Sequence, residues 1–443
     1  MKKGILILFR NFWHQGDSVM KARLQGVLLV VALSLLALAL VGCGGGGSET
    51  APDQSVPSTV VAPFALPGPD EVACSNIAQD FTRVEPGEVA KDYWEGSPSA
   101  DGMPRYVTDL LADPENTPSV TVTAPNDANL YGSFVGQPGE FVLFACYPTT
   151  ADNLRADYPL PTGDVVPHMQ IGADLPLFAD PTVRYPMIMF SHGYGGSPIN
   201  DDYLAAMSIF ASYGYIVVAP FHGDPYFSDL AVENLGEVFD WLTNLRDFVA
   251  LQAMRALSMS AAIDYILADP QWSGHIDTTQ IGGFGASMGG ETMMLLGGAG
   301  LTTSLDFTST QVTVDARLKA AVGYIPWFGE LLLPAFGRDQ QGLDSVTLPF
   351  LAISGTADTL APIIMTQQGI ARLAGTSELV SLAGVTHGFD VASTNDIYTW
   401  ALTFFDAEVR ENPAARQTLS TMASVAGGGD DRVVIPYNGP AVD

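Results

Sequence analysis

Short, continuously apolar segments recur along residues 118–412 and alternate with helical stretches, and this pattern most constrains the fold. The segments read PMIMFS, YIVVA, QIGGF, KAAVGYI, PFLAIS and ELVSL, and helical stretches span 204–213 and 239–267. Strands that are apolar along their whole length are typical of parallel sheets covered by helices. Two earlier segments, 120–123 and 140–144, read as antiparallel leading strands. The pattern predicts an α/β fold, with a mostly parallel central sheet flanked by helices on both faces.

Composition narrows the class of protein. Hydrophobic residues make up 47% of the 443 residues and charged residues only 15%, which indicates a globular domain with a large core. The net charge is −29; because residues 1–42 carry +4, the chain from Cys43 onward carries −33. Such a surface repels phosphate backbones, so we expect no nucleic-acid partner and a neutral substrate. Solubility in a salty medium is the alternative explanation of the charge.

The N-terminus carries an export signal. Lys21 and Arg23 precede an apolar run over residues 27–41 that ends in Gly42 and Cys43. The sequence LVGC resembles the lipobox of bacterial lipoproteins, which implies that Cys43 carries a lipid. We therefore expect an exported protein of the bacterial cell envelope, anchored by lipid at the outer membrane or periplasmic face, or secreted. An ordinary signal-peptide cleavage site and a short membrane anchor are the alternatives.

A Gly-x-Ser-x-Gly motif indicates a catalytic nucleophile. The sequence GASMG, with Ser287 at its centre, follows the predicted strand QIGGF and precedes the helix-like stretch GETMMLLGG. Strand, sharp turn and helix are the context of a nucleophile elbow, and the two glycines leave room for that turn. A glycine-rich turn that merely needs a small residue is the alternative.

A base and an acid follow the serine in the order that acyl-transfer chemistry uses. A serine hydroxyl needs a base, and the base needs an orienting carboxylate. Asp358 follows the strand PFLAIS and His387 follows ELVSL, and no other histidine stands after Ser287. The order predicts a triad of Ser287, Asp358 and His387. Asp390 is the alternative acid.

Two backbone N–H groups are needed to bind the oxyanion of the reaction intermediate. One is expected from Met288, the residue after the nucleophile. The other is expected from the glycine-rich loop SHGYGG after the strand PMIMF, and we assign it to Tyr194. A phosphate-binding loop is the competing interpretation, but no lysine follows at the required spacing.

No metal site and no cofactor are predicted. The six histidines are scattered, the three cysteines lie far apart, and no H-E-x-x-H motif occurs. His192 and His222 stand at predicted strand ends, and we expect a surface or packing role for both.

Two enzyme families share these motifs. The segments HGYGG, GASMGG, YIPWF and ADTLAP resemble those of bacterial cutinases and polyester hydrolases. FSHGYGG, together with the long helix NLRDFVALQAMRALSMSAAIDYIL, resembles platelet-activating-factor acetylhydrolases. Both resemblances lie in the dienelactone-hydrolase-like branch of the α/β-hydrolases and imply that fold for residues 118–412.

The cutinase resemblance implies substrate contacts. Tyr194 and Trp327 would flank the scissile ester as aromatic walls. Packing in the core is the alternative for Trp327. An insertion near residues 224–256 could form a lid over the cleft.

These features predict a secreted serine hydrolase that cleaves neutral carboxylic esters through an acyl-enzyme, with small-molecule or polymeric esters as substrates. A hydrolase of lipids or short-acyl phospholipids is the alternative within enzymes. A non-catalytic surface binding protein is the alternative from another class.

The expected organisation has five parts. They are a lipoprotein signal peptide (1–42), a flexible linker (43–71), an accessory N-terminal segment (72–117), the α/β-hydrolase catalytic domain (118–412) and a loose C-terminal tail (413–443). Export to an oxidising compartment also permits a disulfide between Cys74 and Cys146.

Overall fold

The computed structural model describes residues 57–80, 82, 111–160, 162–224, 245–330 and 333–440. The predicted signal peptide and the lipid-carrying Cys43 lie outside these residues. Among the residues described, no helix combines the length and the apolar character needed to cross a membrane.

Eighteen strands are present in the described part of the chain. In chain order they are β1 (Thr59–Val61), β2 (Glu71–Cys74), β3 (Ser119–Thr123), β4 (Pro138–Thr149), β5 (Tyr158–Pro159), β6 (Val165–Val166), β7 (Tyr185–Ser191), β8 (Ile216–Pro220), β9 (Ile276–Ala286), β10 (Gly300–Thr302), β11 (Ser309–Gln311), β12 (Leu318–Tyr324), β13 (Gly329–Glu330), β14 (Leu333–Pro334), β15 (Phe350–Gly355), β16 (Ser377–Leu382), β17 (Met422–Val425) and β18 (Asp431–Ile435).

Seven α-helices connect them within the same residues. They are α1 (Ala128–Tyr131), α2 (Asp201–Ser212), α3 (Leu245–Ala268), α4 (Met288–Leu296), α5 (Ile363–Ile370), α6 (Thr394–Glu408) and α7 (Pro413–Thr421). Short 3-10 turns lie at Pro114–Asn116, Gly132–Phe134, Ser273–His275, Arg338–Leu343 and Val391–Ser393.

One ten-stranded sheet organises the molecule, in the order β18-β16-β15-β12-β9-β7-β8-β4-β2, with β3 also paired to β4. The six strands from β16 to β8 run parallel to their neighbours. Antiparallel strands flank them on both sides. The parallel strands are almost completely buried, as expected for strands without a solvated face. The predicted α/β fold with a mostly parallel sheet is confirmed, whereas helices on both faces remain a prediction.

The strand order reverses between β7 and β9. From β7 the chain moves outward to β8, then crosses back to β9 and continues to β12, β15 and β16. In open α/β sheets, ligands bind beyond the carboxyl ends of the strands at such a reversal. The loop after β7 and the turn after β9 therefore face the expected position of a site.

All six apolar segments chosen from the sequence are strands of this parallel core. The two leading segments are β3 and β4, and they pair antiparallel as predicted. The first predicted helical stretch corresponds to α2. Of the second, residues 245–267 lie in α3, while residues 239–244 are outside the described part of the chain.

The predicted linker (43–71) and accessory segment (72–117) differ from the structure over the residues that it describes. Residues 57–71, expected as a flexible linker, include β1, which pairs with β17. The Phe64 N–H also donates to Thr399 Oγ1 (3.1 Å). Residues 72–74, placed in an accessory segment, complete β2 in the main sheet. Short strands like these have no core of their own, so their sequences read as loops until a partner strand is known.

The C-terminal tail is also not loose over residues 413–440. It forms α7, β17 and β18, and β18 pairs antiparallel with β16 at the edge of the main sheet. Asp431 is buried and accepts a hydrogen bond from Trp400 Nε1 (2.7 Å). The glycine-rich sequence at 426–430 forms the turn between β17 and β18. A Cβ at Gly428 would lie 1.6 Å from Asp396 Oδ1, so packing requires a glycine there.

A disulfide joins Cys74 and Cys146. The two residues stand opposite each other in the β2–β4 pair, with their Cα atoms 4.1 Å apart. Both are fully buried. The bond therefore ties an edge strand to the body of the sheet.

Candidate active site

Ser287 stands in the turn between β9 and α4. Its backbone has φ 53°, a conformation that costs energy for any residue other than glycine. Two hydrogen bonds compensate: the Ser287 N–H donates to the Tyr324 carbonyl (3.0 Å), and the Trp327 N–H donates to the Ser287 carbonyl (2.9 Å). The structure therefore holds the serine in the strained turn that the motif predicted.

The two glycines of the motif are needed because backbones touch there. A Cβ at Gly285 would lie 2.1 Å from the Gly289 carbonyl oxygen, inside the turn itself. A Cβ at Gly289 would lie 1.9 Å from the carbonyl oxygen of Ser191, the last residue of β7. The second glycine thus brings the serine turn against the loop that follows β7.

A chain of hydrogen bonds links the three predicted catalytic side chains. Ser287 Oγ lies 2.8 Å from His387 Nε2, and His387 Nδ1 lies 2.7 Å from Asp358 Oδ2. A carboxylate accepts only, so Nδ1 carries the proton and Nε2 is left to accept from the serine hydroxyl. The Asp358 side chain is fully buried, and the His387 side chain is 21% exposed. This arrangement can remove a proton from Ser287 and return it to a leaving group.

The Asp358 and His387 side chains are each positioned by nearby backbone. Asp358 Oδ1 accepts from the N–H groups of Leu360 (2.9 Å) and Ala361 (2.8 Å), which leaves Oδ2 for the imidazole. The loop carrying the base is held by Tyr324, whose hydroxyl donates to the Gly388 carbonyl (2.7 Å). Both groups lie beyond the carboxyl ends of parallel strands, as the sequence predicted.

Asp390, the alternative acid, has a different role. Its Oδ2 accepts from the Ser393 N–H (3.0 Å) and the Ser393 hydroxyl (2.9 Å). It therefore caps the turn Val391–Ser393 that leads into α6.

The loop after β7 contacts the nucleophile. A Cβ at Gly193 would lie 3.5 Å from Ser287 Cβ and 2.5 Å from Tyr203 Oη. Tyr194 follows Gly193 in this loop, and Met288 is the first residue of α4, where helix N–H groups have no partner within the helix. Both predicted oxyanion donors therefore belong to segments that meet at Ser287.

An aromatic row lies beside the serine. Phe248 of α3 links Tyr194 and Trp327 in this row, with ring centroids 6.4 Å from Tyr194 and 5.8 Å from Trp327. Trp327 is half-buried, so part of its indole packs on the core and part is accessible. Phe248 was not singled out from the sequence, because its position in an apolar helix reads as ordinary core.

A narrow groove continues from this row. Its lining is mostly apolar, with Gln252 and Thr302 as the polar members. The residues that line it are Leu245, Phe248, Gln252, Leu301, Thr302, Trp327, Leu333, Pro334 and Ala335. Residues 225–244 of the predicted lid lie outside the described part of the chain, and residues 245–256 belong to α3.

Behind the loop lies a buried ion pair that sequence reasoning missed. Arg255 of α3 and Asp224 are each 1% exposed, and the guanidinium contacts the carboxylate twice, at 2.8 Å (Nε–Oδ1) and 2.6 Å (Nη2–Oδ2). The signal was available: Arg255 is a single charged residue within the apolar run FVALQAMRALSMSAAI. A charge in such a run must be paired if the helix is buried.

His222 is buried in a network of neutral groups. Ser258 Oγ donates to the Arg255 carbonyl (2.9 Å) and so accepts from His222 Nδ1 (3.2 Å). His222 Nε2 is then the acceptor for the Ser191 hydroxyl (2.8 Å). Burial, with the nearby Arg255 charge, lowers the pKa of His222 well below its usual value. Its role is packing, one of the two roles expected.

His192 is also buried and neutral. Its Nε2 accepts from the His222 backbone N–H (3.2 Å), so its Nδ1 donates to the Gly193 carbonyl (2.7 Å). Burial and the Arg255 charge lower the pKa of His192 to about 3. Arg255 Nη2 lies 3.5 Å from the same Nδ1, but two donors cannot share a hydrogen bond. His192 therefore helps to hold the Gly193 carbonyl.

A buried carboxyl group stands one helical turn after the nucleophile. Glu291 is completely buried in α4, and its Oε1 accepts from Gln252 Nε2 (2.5 Å). Burial raises the pKa of Glu291 well above its usual value, although the Arg255 charge acts in the opposite direction. No group of three or more histidine, cysteine, aspartate or glutamate side chains in the described ranges could hold a metal ion.

Comparison with known proteins gives one family. Residues 168–232 match the family model of platelet-activating factor acetylhydrolase, isoform II. The matched segment contains β7, the loop beside Ser287, α2 and β8, and it ends before the nucleophile. No match is found among curated proteins. Over this segment the chain is similar to an α/β-hydrolase-type family of ester hydrolases.

Proposed function

We propose that this protein is a serine hydrolase that cleaves short-acyl carboxylic esters, with acylated lipid-like alcohols as the leading substrate class. The observation that carries the proposal is the unbroken chain of hydrogen bonds from Asp358 through His387 to Ser287. It stands beside a strained turn and a glycine-rich loop, which is the geometry that acyl transfer requires.

In the proposed mechanism, Ser287 Oγ attacks the ester carbonyl carbon while His387 Nε2 accepts the hydroxyl proton. Asp358 stays ionised and stabilises the imidazolium that forms. The tetrahedral intermediate then collapses: the bond to the alcohol oxygen breaks, and His387 donates its proton to that oxygen. Water, deprotonated by the same histidine, attacks the acyl-enzyme; the bond to Ser287 Oγ breaks, His387 returns the proton to that oxygen, and the acid is released.

Negative charge develops on the carbonyl oxygen during both steps. We assign its binding to the backbone N–H groups of Met288 and Tyr194. Preorganised donors of this kind each contribute on the order of 10²- to 10³-fold to kcat.

The substrate class rests on two further observations. The family match over residues 168–232 is to an acetylhydrolase, which favours a short acyl group. The aromatic row of Tyr194, Phe248 and Trp327 offers apolar contact for a small acyl or aryl group. The acidic composition favours neutral or zwitterionic esters over anionic ones.

Polyester hydrolysis, which the cutinase resemblance suggested within the predicted class of neutral-ester hydrolases, is the second candidate. The observation in its favour is the same aromatic row, because an aryl ester could stack there. A binding protein on an inactive scaffold has no comparable observation in its favour.

Turnover of p-nitrophenyl esters of increasing acyl length tests the proposal, with Ser287→Ala as the control. We expect turnover to be highest at acetyl to butyryl and to disappear in the variant. Rates on a short-acyl phospholipid and on an insoluble aromatic polyester then separate the two candidates. Equal turnover by the variant, or no labelling of Ser287 by a fluorophosphonate, would exclude a serine hydrolase.

We also propose that the protein is exported and anchored through lipid on Cys43. The buried disulfide supports an oxidising compartment, since such bonds are rare in reducing cytosol. Metabolic labelling with a fatty acid should mark the wild type and not Cys43→Ser. Labelling of both proteins would remove Cys43 as the site.

A further inference from the structure

The buried Asp224–Arg255 pair is not explained by stability. Removing two charges from water is costly, and replacing a buried ion pair by well-packed apolar side chains is often neutral or stabilising. Both side chains are 1% exposed, and Arg255 belongs to an otherwise apolar helix segment. A leucine or methionine would suit such a helix as well, so the pair calls for a further role.

The remaining hydrogen bonds of the pair go to the main chain of the loop beside the nucleophile. Arg255 Nη1 donates to the His192 carbonyl (2.8 Å), and Arg255 Nη2 donates to the Gly193 carbonyl (2.9 Å). Asp224 Oδ2 accepts from the Gly195 N–H (2.9 Å). The planar guanidinium thus contacts two successive carbonyls and a carboxylate at once, which a lysine ammonium cannot do in the same geometry.

These contacts determine where a neighbouring N–H group points. In a trans peptide, the carbonyl of one residue and the N–H of the next point in opposite directions. Because Arg255 holds the Gly193 carbonyl, the Tyr194 N–H in the same peptide plane points away from Arg255. Gly193 also lies close to Ser287, since a Cβ there would be 3.5 Å from Ser287 Cβ.

The preceding peptide is oriented in the same way. The His192 carbonyl is also held by Arg255, and the Gly193 N–H, opposite to it, donates to Tyr203 Oη (3.0 Å). Tyr203 is partly buried, and its ring packs against Phe389 beside His387. Two successive peptides therefore have a defined orientation, one through Arg255 and Tyr203 and the next through Arg255.

We propose that the Asp224–Arg255 ion pair positions the oxyanion hole, by holding the 193–194 peptide so that the Tyr194 N–H faces the reacting carbonyl. This inference rests on the proposed serine-hydrolase function and adds two positioning residues to it. Neither side chain touches the substrate. The pair acts through the main chain, so its loss should weaken binding of the transition state more than binding of the substrate.

Fluorophosphonate inactivation tests the proposal without knowledge of the natural substrate, because phosphonylation of Ser287 also places negative charge in the oxyanion hole. The full chain is compared with Arg255→Lys, which keeps the charge, and with Asp224→Asn, which keeps the shape. Arg317→Lys is the matched control, since Arg317 pairs with Asp315 at a distant, partly exposed position. We expect the inactivation rate to fall about 100-fold in the first two variants and to stay within about twofold in the control.

Ester kinetics and unfolding separate positioning from a purely structural role. For Arg255→Lys and Asp224→Asn we expect kcat to fall about 100-fold with KM changed by less than about threefold. A trifluoromethyl ketone, which binds as an oxyanion, should lose affinity by the same factor as kcat/KM. If Arg255→Lys does not fold, as judged by its thermal unfolding, the kinetic constants of Asp224→Asn alone are compared with those of the wild type.

The outcomes that overturn the inference are distinct from failure of the proposed function. A wild type in which Ser287 is not labelled would overturn both. Labelling of the wild type and of folded Arg255→Lys and Asp224→Asn at equal rates would overturn only the positioning role. A rise in KM at unchanged kcat would likewise overturn it, because it would show that the pair serves ground-state binding.

Discussion

The Ser287–His387–Asp358 triad and the loop beside it, residues 191–196, are held in place by different kinds of contact. Asp358 is positioned by N–H groups two and three residues further along, and Ser287 by the turn in which it stands. The loop is positioned by Arg255 and Asp224, which come from remote parts of the chain. Local contacts can be recognised as a motif in the sequence. The long-range contacts of Arg255 are indicated only by an isolated charge in an apolar helix.

Asp358→Asn should have the largest effect on ester turnover of the changes considered, and it tests the side chains that local contacts hold in place. An asparagine cannot hold the His387 imidazole in the tautomer that accepts from Ser287, and we expect kcat to fall about 10⁴-fold. Asp390→Asn is the matched control, because that carboxylate caps a turn three residues from the histidine. Because asparagine caps a turn about as well as aspartate, we expect the free energy of unfolding to change by less than about 0.5 kcal/mol and kcat by less than about threefold. The reverse ranking of the two variants in ester turnover would make Asp390 the acid.

Gly289→Ala tests the contact between the two regions. Its Cβ would lie 1.9 Å from the Ser191 carbonyl oxygen, and backbone cannot move aside as a flexible side chain can. We expect the free energy of unfolding to fall by about 3 kcal/mol or more, with loss of ester turnover. Gly274→Ala, where a Cβ would meet nothing within 4 Å, is the control and should remain close to wild type. Denaturant unfolding of both proteins checks this, and a normally stable, active Gly289→Ala would mean that the two segments are not in tight contact.

Tyr203→Phe should have a smaller effect, confined to the loop. It removes the acceptor of the Gly193 N–H, and an unpartnered buried donor costs about 1–3 kcal/mol. We expect a matching loss of stability and a fall in kcat of roughly tenfold. Tyr213→Phe, which removes a hydroxyl bound to the Ala65 carbonyl far from the site, is the control. Unchanged turnover in Tyr203→Phe would show that the loop keeps its orientation through Arg255 alone.

Glu291→Gln should have the smallest effect on ester turnover, and its effect on stability should depend on pH. Because burial raises the pKa of Glu291, the folded protein keeps the proton to higher pH than the unfolded chain does. Stability from this group is therefore lost as pH rises from the usual pKa of 4.5 towards the folded value, by up to about 1.4 kcal/mol per pH unit. The free energy of unfolding of the variant should therefore rise relative to that of the wild type across this pH interval, as measured by unfolding at several pH values.

Glu115→Gln, at an exposed position, is the control for that pH series. A constant difference between Glu291→Gln and the wild type at all pH values would mean that Glu291 titrates alike in the folded and unfolded chains. The test bears on the comparison because Glu291 belongs to α4, which follows Ser287, and contacts Gln252 of α3, the helix that carries Arg255.

Much of the parallel core was predictable because its signals are local. Strands such as β7, β12 and β15 are apolar along their whole length, which a parallel sheet requires whatever its strand order. The edges were not predictable in the same way. β1, β2 and β18 are three to five residues long and are strands only through their partners β17, β4 and β16. A flexible linker and a loose tail were therefore expected where the structure has paired strands.

The candidate site also contains residues that local sequence signals predict and residues whose roles depend on long-range contacts. The sequence by itself determined the positions of Ser287, Asp358 and His387, because each follows an apolar strand and carries a residue type that acyl transfer needs. Only the tertiary structure decided that Arg255 and Asp224 hold the neighbouring loop, that Phe248 joins Tyr194 to Trp327, and that His192 and His222 are buried. The physical reason is that a buried charge or ring takes its role from what packs against it, and those contacts come from segments far apart in the chain.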